Sequence, residues 1–265
     1  MSTDSEPELV RTERHGNDGR VVEIVLDRPR AMNAVSTAMA RAIARVGAEV
    51  AADPAVSCVV LSSSQTAAFC VGADLKERNT FTDAELLGQR PVSRAAYGGI
   101  LGLPVPAVAA VEGYALGGGF ELALSCDVII AGEGATVGLP EVSVGVIPGG
   151  GGTQLLTRRV GWSRAASMIF TARRLAAGEA RDLGAVDEVV PSGTARERAL
   201  EVATAIAANS PVGLRQAKRA MRLGADLALV AGLEIEDNCW RQTAFSADRA
   251  EGVAAFAEKR RPRWP

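Results

Sequence analysis

From Val21 to Val190 the chain alternates short β-branched runs with longer alanine-rich stretches, and that alternation predicts an α/β fold. The runs are Val21–Leu26, Ser57–Leu61, Pro106–Val111, Val128–Ala131 and Val186–Val190. The first stops at Asp27-Arg28-Pro29, which reads as a turn. Ser36 then stands where an N-cap would open a helix to about Ala52, closed by Asp53-Pro54. Gly72-Ala73-Asp74-Leu75-Lys76 starts a further helical turn, residues 83–101 form a helix, and glycines open another from Gly117 to about Ser125. Residues 1–20 are polar and read as a frayed or edge segment. Beyond Pro191 the texture changes: residues 194–259 are rich in Ala, Arg and Glu and predict three or four helices. The expected organisation is an α/β core over 1–191 and a helical part over 192–265.

Composition narrows the chemistry. Lys and Arg total 29 against 31 Asp and Glu, so the net charge is −2 and no broad basic face for nucleic acid is expected. A single His argues against the usual zinc sets and against Ser-His or Cys-His triads. His15 stands among polar neighbours and reads as a plain surface residue. The four cysteines form no CxxC pair, no apolar run approaches the ~18 residues of a membrane span, and the N-terminus carries no signal-peptide pattern. A cytoplasmic setting, with neither membrane nor nucleic acid as partner, is expected.

Two glycine runs dominate the middle of the chain, Gly117–Gly119 and Gly149–Gly152. Glycines at a strand-to-helix junction let main-chain N–H groups face a site, where they hold an anion or a developing oxyanion. A lone run is as well explained by a tight turn or close packing. Neither is a P-loop, because Gly152 is followed by Thr153-Gln154. Glu121 follows the first run in an otherwise apolar stretch, and Glu141 precedes the second. Each alone fits a satisfied structural carboxylate as well as a catalytic one. Paired between two glycine turns, they point to catalysis, since two carboxyls in one apolar site split their pKa values into an acid and a base.

AAFCVGADLKER, LPVPAVAAVEGYALGGGFELALSCDVIIA and GLPEVSVGVIPGGGGTQLLTRRVG, in that order, resemble the enoyl-CoA hydratase (crotonase) family. LDRPRAMNAV near the start and GVAAFAEKRRPRW at the end extend the resemblance to about residues 20–263. It implies a spiral of ββα units with a C-terminal helical part that builds homotrimers, usually paired into homohexamers. It implies an acyl-CoA thioester substrate with no further cofactor, coenzyme A being part of that substrate. The thioester oxygen would lie in an oxyanion hole made by the N–H groups of Ala73 and Gly118. Glu121 and Glu141 would hold and activate a water for attack at C3, with Glu141 also delivering the proton to C2. The backbone of Gly149 would help hold that water. Arg28, Ala31 and Lys76 would frame the nucleotide of coenzyme A, with Lys259 reaching over from the C-terminal helices, of its own or a neighbouring subunit. Retention of both glutamates favours hydratase over isomerase. GADLKER and GLEIEDNCWRQT resemble the 3-methylglutaconyl-CoA hydratase branch, whose substrate has a distal carboxylate that no residue is assigned to hold. Some members of that branch bind RNA through a basic helix, but the corresponding stretch here, around Arg90 and Arg94, lacks a basic stripe.

Overall fold

The computed structural model describes residues 8–16 and 18–265. Strand β1 (Val10–His15) pairs antiparallel with β2 (Val21–Leu26), and helix α1 (Thr37–Ala52) follows with Ser36 as its cap, accepting from the Met39 N–H. The next three units share one plan. β3 (Cys58–Ser63) and β4 (Ala68–Cys70) lead into α2 (Leu75–Arg78) and α3 (Asp83–Leu101). β5 (Ala107–Val111) and β6 (Tyr114–Leu116) lead into α4 (Gly118–Leu124), and β7 (Val128–Gly132) and β8 (Thr136–Gly138) into α5 (Gly152–Val160) and α6 (Trp162–Phe170). Then come β9 (Arg174–Ala176), α7 (Ala177–Asp182) and β10 (Glu188–Val190), and the helices α8 (Ala195–Ala207), α9 (Pro211–Gly224), α10 (Leu229–Ala244) and α11 (Ala247–Ala257).

Within each unit the first strand joins one sheet and the second joins another. The six-stranded sheet runs β1-β2-β3-β5-β7-β10, parallel except at β1, and the four-stranded sheet runs β4-β6-β8-β9. The chain therefore winds as the expected spiral of ββα units, α/β in class. Within the polar start, Val10–His15 form the edge strand β1, whose alternating burial matches an edge with one wet face, while residues 1–7 and 17 of that stretch lie outside the described residues.

Helix α8 lies on the six-stranded sheet. Its Ala195, Ala199, Ala203 and Ala207 recur every four residues and pack on Val21, Cys58, Val60, Val108, Ala110 and Ile130. Small side chains on that face let the helix axis approach the sheet closely. Glu112, just past β5, accepts from the N–H groups of Gly193 and Ala195 at 2.9 and 3.0 Å and so caps α8 from the sheet. By packing, then, α8 goes with the core, and the texture change after Pro191 precedes the change in layering by about a helix.

Glu23 is fully buried in β2. Burial alone would raise its pKa, yet Arg196 of α8 takes both its oxygens at 2.6 Å, and Ser62 and His15 add bonds at 2.6 and 2.7 Å, so the carboxyl is held below its ordinary value. His15 is accordingly not a plain surface residue. It is half-buried, and its side chain is part of the network that ties β1, β2 and α8 together. No helix among the described residues is long and apolar enough to cross a membrane.

Candidate active site

Strands β4 and β6 run parallel with Cys70 opposite Ala115. Three residues past each of these lie Ala73 and Gly118, so the register of one strand pair delivers both main-chain positions to the same place. The Cα of Gly72 faces Gly118: a methyl group there would lie 3.0 Å from the Gly118 nitrogen. Val35 forms a parallel bridge to Ala73, donating to the Gly72 carbonyl at 2.7 Å and accepting from the Asp74 N–H at 3.1 Å. In that pattern the N–H of Ala73 itself points away from Val35, and it has no acceptor among the described residues. Gly118 is the first residue of α4, so its N–H is one of those a helix leaves without an intrahelical partner. Two unpaired donors from adjacent strand ends suit an oxygen that gains negative charge.

Glycine at 117 and 119 permits this approach. Gly117 has φ 53°, a conformation that side chains rarely adopt. A Cβ on Gly119 would overlap the Cys70 carbonyl, so only glycine lets α4 start against β4. Cys70 is itself no nucleophile: burial pushes its thiol up to about 12, and its Sγ bonds the Asn33 carbonyl at 3.0 Å.

Glu121 stands on the first turn of α4 and is only 2% exposed. Its Oε1 accepts from the N–H groups of Gly150 and Gly152, both at 2.7 Å. Burial raises the pKa of this carboxyl, while the two N–H donors and the nearby Arg90 charge oppose the rise. Glu141 opens a single 3-10 turn, Glu141–Val144, and its Oε1 lies over Gly117, where an added methyl would be 3.0 Å away. Its Oε2 is buried with no hydrogen-bond donor. Burial, with the charge of Glu121 behind it, pushes Glu141 up to about 7. Glu121 thus has two fixed main-chain donors on one oxygen while Glu141 keeps an oxygen with none, so the two carboxyls sit in unlike surroundings.

The second glycine run serves Glu121 through Gly150 and Gly152. Gly149 plays a different part: its carbonyl accepts from Arg90 Nη2 at 2.7 Å. Sequence reasoning missed Tyr97. This residue of α3 lays its ring where a methyl on Gly150 would be 2.7 Å from it, and its hydroxyl against Gly118. Burial, followed by the Glu121 charge, raises its pKa and keeps it a phenol. The only signal available was its spacing of four residues from Ser93, which places both on one helix face.

Of the four positions expected to frame coenzyme A, three cluster beside Ala73. Arg28 donates to Asp74 Oδ2 and to the Ala34 carbonyl, each at 2.7 Å, and Asp74 caps α2 by accepting from the Lys76 and Glu77 N–H groups at 3.1 Å. Ala31 ends the single turn Pro29–Ala31. Buried Asn33 fixes that loop by accepting from the Arg28 N–H and donating to Ser63 and the Phe69 carbonyl. Lys76 is exposed. Lys259 lies beyond α11, which packs on α9 and α10, and its side chain makes no hydrogen bond or ion pair among the described residues.

A family model described as Enoyl-CoA hydratase/isomerase matches residues 16–265. The chain is 41% identical over 259 residues to "Probable enoyl-CoA hydratase 2, mitochondrial" of Arabidopsis thaliana, covering 97% of this chain and 86% of that protein. It is 39% identical over 265 residues to the mitochondrial methylglutaconyl-CoA hydratase of Mus musculus, covering 98% and 84%. Among solved structures, that of an enoyl-CoA hydratase from Bacillus anthracis superposes with a TM-score of 0.93 at 38% identity, covering 97% of this chain and 98% of that one.

Proposed function

The chain belongs to the enoyl-CoA hydratase/isomerase family, and on that premise we propose that it is a hydro-lyase adding water across the C2=C3 bond of a 2-enoyl-CoA thioester. The observation that carries this reading is the pairing of two unlike carboxyls, Glu121 with two N–H donors and Glu141 with an undonated oxygen, beside two unpaired main-chain N–H groups. The thioester oxygen accepts from Ala73 and Gly118. Ionised Glu121 takes a proton from the water as its oxygen bonds to C3. The π electrons move toward the thioester oxygen, where the two N–H groups stabilise the charge, and neutral Glu141 gives its proton to C2. The product is the 3-hydroxyacyl-CoA; transfer of the gained proton from Glu121 to Glu141 restores both groups. In this reading the backbone of Gly149 helps hold the water. The water oxygen bonds to C3, a proton goes to C2 and no net redox change occurs, so side chains and main-chain amides suffice, and coenzyme A enters as part of the substrate.

Arg28, Ala31 and Lys76 frame the nucleotide in this reading, with Lys259 supplied from the C-terminal helices. The apolar side chains exposed on α9–α11, among them Met221, Leu229, Trp240 and Phe256, fit a homotrimer or homohexamer. The four buried free thiols, three of them pushed up to about 12, suit a reducing cytoplasm.

Hydration of crotonyl-CoA, followed as loss of enoyl-thioester absorbance, tests the proposal alongside Glu121→Gln and Glu141→Gln. Turnover that collapses in both variants supports it. Absence of turnover in the parent protein overturns it. The second reading, isomerisation of a 3-enoyl-CoA, draws on the family description and needs one proton-moving carboxyl. Isomerase activity that survives loss of one glutamate would favour it.

A further inference from the structure

The main-chain hydrogen bonds that aim the Ala73 N–H are themselves pinned by one guanidinium. The Gly72 carbonyl and the Ala73 N–H belong to a single planar peptide unit and point opposite ways. Val35, by donating to that carbonyl at 2.7 Å, therefore sets the direction of the Ala73 donor. Whatever holds Val35 against residues 72–74 also keeps half of the proposed oxyanion hole in aim.

Arg28 does this from both sides of the bridge. Its Nη1 donates at 2.7 Å to the carbonyl of Ala34, the residue before Val35, and at 2.7 Å to Oδ2 of Asp74, the residue after Ala73. A guanidinium Nη has two N–H groups, and here both are used. Asp74 is 8% exposed, and its other oxygen accepts from the Lys76 and Glu77 N–H groups at 3.1 Å. Burial alone would raise the pKa of Asp74, yet Arg28 and those N–H groups hold it below its ordinary value, so it is ionised at neutral pH. Charge-assisted bonds of this kind are stronger than neutral ones.

The loop that carries Arg28 back onto Ala34 is strained. Met32 and Asn33 have φ of 50° and 56°, a region costly for methionine, and such strain persists only where the surroundings over-determine it. With the guanidinium removed, the loop can relax and carry Val35 with it. The Thr37 N–H still donates to Glu77 Oε2 at 2.8 Å, so the two segments stay together while the aim of the bridge is lost.

We propose that Arg28 is a positioning residue for the oxyanion hole: paired with Asp74 and bonded to Ala34, its guanidinium staples the Val35–Ala73 bridge and keeps the Ala73 N–H aimed at the thioester oxygen. The segment from Arg28 to Ala31 keeps its place in the nucleotide frame, and the guanidinium has this second task. Arg28 Nε and Nη2 make no hydrogen bond among the described residues, so the rival role for the side chain is direct contact with a phosphate of coenzyme A. The proposal rests on the hydratase reading for its turnover readout and not for its spectroscopic one.

Crotonyl-CoA and crotonyl-pantetheine separate the two roles, because the second thioester has neither phosphate nor nucleotide. Arg28→Met is expected to lower kcat for both by the same factor, about tenfold to a hundredfold, the effect of a donor displaced and not deleted. The Gly118 N–H is set by α4 and stays in place, so the loss is partial. The Kd of free coenzyme A, titrated by calorimetry, is expected to stay at the parental value. Arg28→Lys, whose ammonium can reach the same two oxygens, is expected to recover part of kcat. Asp74→Asn keeps an oxygen for the α2 cap and loses the charge; it lowers kcat as well, and the double variant loses no more than the worse single one. Butyryl-CoA, isotope-labelled at the carbonyl carbon, gives a readout without turnover. Its bound carbonyl stretch is expected at lower frequency than in solution with the parent protein, and closer to the solution value with Arg28→Met. Melting curves establish that each variant is folded, and if Arg28→Met does not fold, Arg28→Lys and Asp74→Asn carry the same comparisons.

A loss confined to crotonyl-CoA, with a weaker Kd for coenzyme A, makes the guanidinium a phosphate ligand and overturns the proposal. An equal carbonyl stretch in the parent and in Arg28→Met overturns it too. If the parent hydrates both thioesters and folded Arg28→Met does so at the parental kcat, the staple fails while the hydratase reading stands. If the parent hydrates neither thioester but lowers the butyryl-CoA stretch, and Arg28→Met loses that effect, the staple stands and the hydratase reading fails.

Discussion

At the scale of single residues, the two glutamates differ in what surrounds them, and that difference sets their tasks. Glu121→Gln and Glu141→Gln are each expected to lower kcat for crotonyl-CoA hydration by about 10²–10⁴, with unchanged circular dichroism. Because Glu141 must be neutral to give up a proton, kcat/KM for hydration should fall as pH rises through about 7. The same residue carries a stability cost. Its pKa in the folded protein exceeds the ordinary 4.5, so its ionised form is disfavoured by folding, and stability declines from about 4.5 up to about 7 and is level above that. Glu141→Gln removes that charge. Its melting temperature relative to the parent should be unchanged at low pH, rise across that window and stay higher above it; a constant difference at every pH would contradict the assignment. The glutamates were legible in the sequence because carboxylates in apolar runs are rare. Tyr97 was not, because a tyrosine on a helix face looks like ordinary core until the backbone it touches is known.

At the scale of elements, the long ones were legible and the short ones were not. Ser36 with its alanine-rich stretch gave α1, and residues 83–101 match α3 end to end. The second sheet could not be read from residue patterns: β4, β6, β8 and β9 are three residues each, too short for a period of two to declare itself. That sheet nevertheless sets the site, since the β4–β6 register brings Ala73 to Gly118. Gly119→Ala drives a methyl into the Cys70 carbonyl and should cost about 1–3 kcal/mol in chemical denaturation, with activity lost beyond what the stability change explains. Glu112→Ala strips two N–H groups at the start of α8 of their acceptor and should cost about 1–3 kcal/mol, leaving crotonyl-CoA kinetics unchanged in the folded fraction. Retained stability in that variant would show that the cap from β5 is dispensable.

For the whole molecule, the apolar side chains left on α9–α11 are the feature that a lone chain does not satisfy. Met221, Leu229, Val230, Trp240, Phe245 and Phe256 are all more than 60% exposed. Light scattering on the purified protein should give three or six times the 27.5 kDa chain mass, and a monomer at micromolar concentration would refute the trimer and hexamer readings. The division at 191/192 followed the alanine and arginine content, which α8 shares with the helices after it although it rests on the sheet. Composition reports what a helix is made of and not what it lies against. The site itself divides in another way. Its carboxyls are spelled out in the gene, each one nucleotide change from another residue, but an amide N–H belongs to every non-proline residue and has no codon of its own. The anion-stabilising half of this centre is therefore inherited with the sheet that shapes it, and drift can change how protons are handled here long before it removes the grip on the thioester.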